Sequence, residues 1–255
     1  MPEPNDHGCF VWHDLLTTDP EAGVAFYARV FGWITAPYEI PGITTLTIWT
    51  AGDVPVASPG RLANEPWAAA AGLGPHWLTY IGARDVDATV AQAERLGARV
   101  LAPAMDVPSI GRYAVLADPQ GAVFAAFRPA AALPDAPRLG SIDWHELATT
   151  DPRAAFGFYS ALFGWMEVGA ADDVATILVF GRPNGPPLGV IRRIAPGDSM
   201  PAWLCYTTVD DVDRVADDAT RSGGRVIAGP MDSPGGGGRI VVCADPQGAR
   251  FGAIQ

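Results

Sequence analysis

Hydrophobic and polar residues alternate in short runs along this chain, and two stretches in each half change to helical spacing. The alternation predicts a strand over residues 9–17. The helical spacing then predicts a helix over residues 20–31, where Asp19 and Pro20 are typical of a helix start and Gly32 of a helix end. The first half also predicts strands over residues 44–51, 54–62, 76–83, 99–105, 111–118 and 122–128, and a second helix over residues 86–97.

Three segments of the first half recur in the same order in the second half. The segment WHDLLTTDPEAGVAFYARVFGW returns as WHELATTDPRAAFGFYSALFGW, the segment ending in GARVLAPAMD returns as GGRVIAGPMD, and GRYAVLADPQGAVFAAF returns as GRIVVCADPQGARFGAI. The repeat predicts two homologous domains, residues 1–131 and 138–255, joined by a linker over residues 132–137. Each domain has the order βαβββ–βαβββ, so the chain is predicted to be α+β, with four such modules.

Composition excludes several classes of function. The net charge is −11, which disfavours a nucleic acid or an anionic membrane as the partner, because phosphate binding needs clustered cations. All 17 basic residues are arginine, so Schiff-base catalysis through a lysine is excluded. No apolar run approaches the ~20 residues of a membrane span, and we expect a cytoplasmic protein.

The repeated TTDP…FY…FGW segments, the helices that follow DVD, and the ADPQG turns resemble the glyoxalase/bleomycin-resistance/extradiol-dioxygenase (vicinal oxygen chelate) superfamily. The resemblance covers nearly the whole chain. Its two halves together are similar to the tandem two-domain, glyoxalase-like proteins of actinobacteria. It implies that each domain is a curled mixed sheet enclosing a cup, with helices outside, and that the cup holds a small molecule.

The resemblance also implies where a metal ion would bind, on the first strand of each module and on a last strand. The residues at those positions are Trp12, Leu78 and Ala125 in the first half and Trp144, Leu204 and Gly252 in the second. None of these side chains binds a metal, and zinc or non-haem iron sites need three protein ligands. We therefore expect no metal and no other cofactor.

The histidines His13 and His145 follow the two first-strand tryptophans. Because strand side chains alternate between faces, a tryptophan facing the cup places the next histidine against the helix layer. We therefore interpret both histidines as structural residues.

The same alternation assigns the side chains that face each cup. We expect the first cup to present Trp12, Asp14, Leu78, Tyr80, Val123, Ala125 and Phe127, and the second to present Trp144, Glu146, Leu204, Tyr206, Arg250, Gly252 and Ile254. Small residues at the ligand positions and aromatic residues around them favour a flat, mostly apolar ligand.

Asp14 and Glu146 are candidates for acid–base catalysis, because a desolvated carboxyl has a raised pKa and can transfer protons. Tyr80 or Tyr206 could donate a hydrogen bond to a developing oxyanion. In the second cup we expect Arg250 to pair with Glu146 or to anchor an anionic ligand.

Three functions are consistent with these residues. The first is a metal-independent module that binds an apolar or aromatic metabolite. The second is a metal-independent enzyme, an isomerase or lyase that uses Asp14 or Glu146, or a protein that helps a partner oxygenase hydroxylate an aromatic compound. The third is a regulatory protein whose cups are filled by its own side chains.

Residues 233–239 and 64–77 are expected to lie at the cup mouths. The chain is expected to be a monomer or a homodimer.

Overall fold

A computed structural model describes residues 6–131, 139–168, 177–194, 200–233 and 238–255. The predicted linker lies outside the described residues, and so do residues 234–237 of the glycine-rich segment expected at the second cup mouth.

The first half contains both predicted helices and all the predicted strands. Its elements are β1 (Phe10–Thr17), α1 (Pro20–Phe31), β2 (Ile34–Ile40), β3 (Thr44–Ala51), β4 (Val54–Arg61), α2 (Pro66–Ala70), β5 (His76–Gly82), α3 (Val86–Arg95), β6 (Arg99–Val107), β7 (Gly111–Ala117) and β8 (Val123–Pro129). The βαβββ order requires three strands after the first helix, but the hydrophobic pattern predicts no range for β2, and it does not predict α2. Most of β2 is exposed, so it shows no clear hydrophobic alternation, and α2 is a five-residue helix with little periodicity.

The second half repeats this order. Its elements are β9 (Ile142–Thr149), α4 (Pro152–Phe163), β10 (Met166–Glu167), β11 (Ile177–Gly181), β12 (Pro187–Arg193), β13 (Ala202–Thr208), α5 (Val212–Arg221), β14 (Arg225–Asp232), β15 (Arg239–Ala244) and β16 (Arg250–Ile254). The aspartates that precede α1 and α4 accept hydrogen bonds from backbone N–H groups of the first helical turn, as the DP motif predicts.

Each half forms a curled eight-stranded mixed sheet. The strand order is β2-β3-β4-β1-β5-β8-β7-β6 in the first half and β10-β11-β12-β9-β13-β16-β15-β14 in the second. In the first sheet β1 pairs in parallel with β4, and β5 with β8, while the β2–β3, β3–β4, β6–β7 and β7–β8 ladders are antiparallel. The predicted α+β class, with a curled mixed sheet in each half, is confirmed.

The chain divides into two compact units that differ from the two halves. Unit 1 comprises the described residues of Met1–Trp12, Thr79–Leu133 and His145–Trp203, and unit 2 those of His13–Leu78, Pro134–Trp144 and Leu204–Gln255. Each unit therefore combines one module from each half. In unit 1 α3 packs on α4, and in unit 2 α1 packs on α5. The domain boundaries drawn from the repeat stay a prediction.

A buried chain of hydrogen bonds holds the core of unit 2. The Trp77 indole N–H donates to the Tyr27 hydroxyl oxygen at 3.1 Å, and the Tyr27 hydroxyl donates to a carboxylate oxygen of Asp245 at 3.2 Å. The other Asp245 oxygen accepts hydrogen bonds from the backbone N–H groups of Gln247, Gly248 and Ala249. Burial raises the pKa of the Asp245 carboxyl, and these hydrogen bonds oppose that shift.

Unit 1 contains the same chain, built from the other member of each repeated pair. The Trp203 indole N–H donates to the Tyr159 hydroxyl at 3.0 Å, and Tyr159 donates to Asp118 at 3.1 Å. In both units the tyrosine and the aspartate come from different halves of the sequence. The FY and ADPQG motifs therefore recur because each unit needs one of each.

The FGW tryptophans make a second repeated bond. Trp33 donates its indole N–H to the carbonyl of Gly140 at 2.7 Å in unit 2, and Trp165 donates to the carbonyl of Gly8 at 2.8 Å in unit 1. Gly8 has φ of 76°, and a Cβ there would lie 2.7 Å from the carbonyl oxygen of Phe163, so only glycine fits. Each tryptophan thus fixes the approach to the first strand of the other half.

The described helices are short. The longest, α1 and α4, have 12 residues each, and no helix in the described ranges is long and apolar enough to span a bilayer.

We expect Tyr27→Phe to lower the free energy of unfolding by about 1–3 kcal/mol, because it removes the shared partner of Trp77 and Asp245 from the core. Tyr159→Phe should cost a similar amount in unit 1. Denaturant unfolding followed by tryptophan fluorescence measures both, with Tyr38→Phe on the exposed strand β2 as the control. Losses below about 0.5 kcal/mol in both core variants would contradict this role.

Candidate functional site

Strand β1 has one face in the hydrophobic core and an opposite face that carries Asp14. Leu15 belongs to the aromatic core of unit 2, and His13, two residues earlier, is buried at 3% exposure. Burial lowers the pKa of His13 to about 3, so the imidazole is neutral at physiological pH. Asp14 lies between them and therefore points to the opposite face.

His145 lies on the core face of unit 1. Its ring stacks on Phe10 with centroids 3.5 Å apart and planes within 7°, and Phe10 also contacts Trp165 and Trp203 of the aromatic core. Both histidines therefore lie on the core side of their strands, as the alternation predicted.

Asp14 is bound by a neighbouring strand. It lies opposite Ser58 in the parallel β1–β4 ladder, and the Ser58 hydroxyl donates a short hydrogen bond to its carboxylate. Both side chains are half-buried on the face opposite Leu15. This face of unit 2 holds a carboxylate and a hydroxyl in direct contact.

Glu65 is a second carboxyl, and it interacts electrostatically with Asp14. It lies at the start of α2 and accepts a hydrogen bond of 2.6 Å from the Trp67 indole N–H. Burial raises the pKa of Glu65, the Trp67 bond opposes that shift, and the negative charge of Asp14 raises the pKa further. Two carboxyls close enough to interact electrostatically are a common arrangement for proton transfer.

His76, at the start of β5, contacts this α2 region. Its ring lies 6.2 Å from the Trp67 ring, and its Nδ1 lies 2.8 Å from the carbonyl oxygen of Gly74. Burial lowers the pKa of His76, and the bond to Gly74 opposes that shift. Trp67, Glu65 and His76 all belong to residues 64–77, the segment expected to cover the first cup.

Tyr80 belongs to an aromatic cluster in unit 1. Its ring lies 5.8 Å from that of Tyr113 on β7 and 5.7 Å from that of Phe127 on β8, both edge-on. Ala125 pairs with Tyr80 in the β5–β8 ladder and is fully buried. Phe124 and Ala126 belong to the unit 1 core, so Ala125 and Phe127 face away from it.

Tyr206 is the equivalent of Tyr80 in unit 2, but its ring packs over a glycine. It pairs with Gly252 in the β13–β16 ladder, and a Cβ at Gly252 would lie 2.3 Å from the Tyr206 ring. Tyr206 is 1% exposed. The ring therefore fills the space that a side chain at position 252 would need.

Glu146 forms an ion pair within unit 1. Its Oε1 accepts a hydrogen bond of 2.7 Å from the Nε of Arg192, which lies on β12 two residues beyond Val190, the ladder partner of Glu146. Arg250 is exposed at the start of β16. A carboxylate engaged by an arginine is a weaker candidate for proton transfer than Asp14, which accepts a hydrogen bond from the neutral Ser58 hydroxyl.

The remaining predicted site residues lie on the same strands. Trp12 on β1 and Trp144 on β9 are half-buried, as is Leu204 on β13, whereas Leu78 on β5 is buried. The predicted roles of the site residues in catalysis or ligand binding stay predictions.

The positions that the resemblance identifies for a metal do not fit one. Ala125 and Gly252 offer no donor atom, and at Gly252 the Tyr206 ring leaves no room for a ligand side chain. Across the described ranges, no three His, Cys, Asp or Glu side chains are grouped so that they could hold a metal ion. The function proposed below therefore does not use a metal.

Sequence reasoning missed four residues of these faces: Ser58, Glu65, Tyr113 and Arg192. Glu65 had a signal, since residues 64–77 form a longer segment than their counterpart in the second half. The other three are identified only by the strand register, which places β4 beside β1, β12 beside β9, and β7 beside β8.

Two family models match this sequence, one in each half. Residues 11–127 match a model described as a glyoxalase-like domain, and residues 141–252 match the glyoxalase/bleomycin resistance protein/dioxygenase superfamily.

Curated relatives match at full length. The chain is 33% identical to "Putative glyoxylase CFP32" of Mycobacterium bovis, over 100% of this chain and 98% of that protein. It is 32% identical to the anthracycline biosynthesis protein DauV of Streptomyces sp. strain C5, over 97% of this chain and 93% of that protein.

Solved structures share the fold. A Mn(II)-bound glyoxalase from Novosphingobium aromaticivorans has a TM-score of 0.63 at 19% identity, covering 96% of this chain and 80% of the other. A variant of homoprotocatechuate 2,3-dioxygenase from B. fuscum has a TM-score of 0.66 at 15% identity, covering 100% and 74%.

We expect the stability of the protein to fall as the pH drops below 6.5, in part because of His13. The folded-state pKa of about 3 lies below the ordinary value of 6.5, so between these values the unfolded chain binds the proton more readily. The slope from this one group is at most about 1.4 kcal/mol per pH unit. Its contribution is complete above pH 6.5 and lost as the pH falls toward 3.

Denaturant unfolding at pH 7 and pH 5 measures this effect. The His13→Gln variant should lose about 2 kcal/mol less than the wild type between the two pH values. Equal losses in both proteins would show that His13 does not carry the pH dependence.

Proposed function

Because the chain belongs to the glyoxalase/bleomycin resistance protein/dioxygenase superfamily, we propose that it binds a small, largely apolar aromatic metabolite without using a metal ion. The observation that carries this proposal is the aromatic cluster of Tyr80, Tyr113 and Phe127 around Ala125. Tyr113 is half-buried, whereas Tyr80, Phe127 and Ala125 are buried, so an aromatic ligand would stack on the accessible part of the Tyr113 ring.

The two units are not equally suited to such a ligand. At the position equivalent to Tyr113, the second half has Ile240, which is 5% exposed, whereas Tyr113 is half-buried. At the position equivalent to Ala125, it has Gly252 beneath the Tyr206 ring. The aromatic face of unit 1 is therefore the proposed binding surface.

A relative named for anthracycline biosynthesis supports an aromatic ligand of this kind. An anthracycline carries fused flat rings, which match the stacking surface.

We further infer a cytoplasmic protein that is active as a monomer or homodimer. Its partner is the small molecule, and neither a nucleic acid nor a membrane. Assistance to a partner oxygenase acting on an aromatic compound is compatible with this role.

A second candidate function, metal-independent proton transfer, is favoured by the carboxyl pair in unit 2. Asp14 accepts the Ser58 hydroxyl, and its charge raises the pKa of Glu65. The pair can hold a proton on one carboxyl while the other acts as a base. A carbon acid adjacent to a carbonyl is the substrate class that such a pair suits, and one relative is named as a glyoxylase.

We expect Tyr113→Ala to weaken binding of daunorubicin by about two- to tenfold, since a lost aromatic contact is worth about 0.5–1.5 kcal/mol. Quenching of the drug's fluorescence at physiological salt measures the dissociation constant, and salt limits non-specific attraction of this cation to the acidic protein. Tyr113→Phe keeps the ring and should bind like the wild type. Binding that is unchanged in Tyr113→Ala, or absent from the wild type, would refute the aromatic-binding proposal.

We expect Asp14→Asn to lower proton exchange by about 10²-fold or more, if the second function operates. The measurement follows deuterium uptake at the C–H of the hemithioacetal of methylglyoxal and glutathione, in D₂O, with chelator-treated protein. Glu39→Gln on the exposed strand β2 is the control, and circular dichroism verifies the fold of each variant. Equal exchange in Asp14→Asn and wild type would eliminate Asp14 as the base.

A further inference from the structure

Two pockets, one in each unit, are lined in part by equivalent residues of the repeat. The pocket in unit 2 has a volume of about 250 Å³, and the pocket in unit 1 has a volume of about 140 Å³. The residues lining the unit 2 pocket include Trp33, Ala51, Leu139, Gly140, Asp210 and Arg214. Those lining the unit 1 pocket include Asp6, His7, Ala83, Arg84 and Arg128.

Backbone hydrogen bonds establish that these places are equivalent. In unit 1 the N–H of Gly8 donates to the carbonyl of Gly82 at 2.9 Å, and the N–H of Ala83 donates to Phe127 at 2.8 Å. In unit 2 the N–H of Gly140 donates to Thr208 at 2.8 Å, and the N–H of Val209 donates to Ile254 at 2.8 Å. The residues that follow these bonds can therefore be compared one by one.

The comparison shows a concentrated change of charge. Arg84 stands where unit 2 has Asp210, His7 where it has Leu139, and Arg128 where it has Gln255. Phe180 on β11 and Trp49 on β3 are equivalent, because each contacts the FGW tryptophan of its own half. Counting two residues on from each of them pairs Arg182 with Ala51. Four positions that are acidic or neutral in one unit are thus basic or titratable in the other, although the chain carries a net charge of −11.

The pKa of His7 responds to two of these arginines. Burial, and then the positive charges of Arg84 and Arg182, lower the pKa of His7. Its Nδ1 is buried and has no hydrogen-bond partner among the described residues. A buried ring nitrogen without a partner is stabilised when an anion accepts a hydrogen bond from its N–H group.

We propose that His7, Arg84 and Arg128, which line the unit 1 pocket, form an anion-binding site that takes a phosphate group, either as inorganic phosphate or on a small phosphorylated metabolite, and that the charge of Arg182 favours the bound anion. Guanidinium groups present paired N–H donors that match the oxygens of a phosphate, and a pocket of about 140 Å³ accommodates a group of that size. The Asp6 carboxylate lines the same pocket and competes with the incoming anion. This site does not depend on the aromatic-binding function proposed above.

Isothermal titration of inorganic phosphate into the full chain, at low ionic strength and pH 6 in a cationic buffer, tests the proposal. We expect one phosphate per chain with a dissociation constant of about 1 mM or lower. Arg84→Gln should weaken binding by about tenfold or more, because a charge-assisted hydrogen bond to phosphate is lost. Asp6→Asn should tighten it, since the competing charge is removed.

Arg214→Gln is the matched control, because Arg214 lines the equivalent pocket of unit 2. It should leave the dissociation constant unchanged. A second readout does not depend on affinity changes caused by misfolding. Saturating phosphate should raise the pKa of His7, which proton NMR measures. The His7 resonance is assigned by its loss in His7→Gln. Phosphate binding no stronger than that of chloride at equal ionic strength would overturn the proposal. So would equal weakening by Arg84→Gln and Arg214→Gln, or an unmoved His7 pKa.

Discussion

A buried tryptophan–tyrosine–aspartate hydrogen-bond chain is the constraint on which the cores of both units depend. In unit 2 it joins Trp77, Tyr27 and Asp245, and in unit 1 it joins an equivalent trio. Desolvated polar groups are costly unless all are paired, so the tyrosine hydroxyl must both accept and donate. Since the tyrosine and the aspartate come from different halves, each unit forms only when both halves contribute a module. This explains why the repeat retains these residues on both sides.

The repeated hydrogen-bond chains lie on one face of each sheet, and the residues of the opposite face differ between the repeats. On that face, Asp14 with Ser58 in unit 2 corresponds to Glu146 with Arg192 in unit 1. The two pockets near Gly8 and Gly140 likewise differ in charge, although the backbone hydrogen bonds of these glycines are equivalent. Substitutions on these faces change chemistry without breaking the buried hydrogen bonds, so a duplicated scaffold can present two different surfaces.

Local patterns predicted most of the elements, because each depends on neighbours in sequence. The DP caps, the αL glycine after α1 and the strand alternation need only a few adjacent residues, and the structure contains them. The predicted core side of His13 and His145 followed from the same alternation. The exposed strand β2 and the short helix α2 were missed because they have weak hydrophobic patterns. Glu65 was missed because its burial depends on how residues 64–77 fold back.

The sequence by itself determined the repeat, the α+β class, the family and the absence of donor side chains at the metal positions, since these are written in residue identity and spacing. Only the tertiary structure decided which residues meet. Strand register placed Ser58 on Asp14 and Arg192 on Glu146, and the packing of modules from different halves brought Tyr27 to Asp245. Such contacts join residues 44, 46 and 218 positions apart, a separation at which sequence spacing carries no information about distance in space.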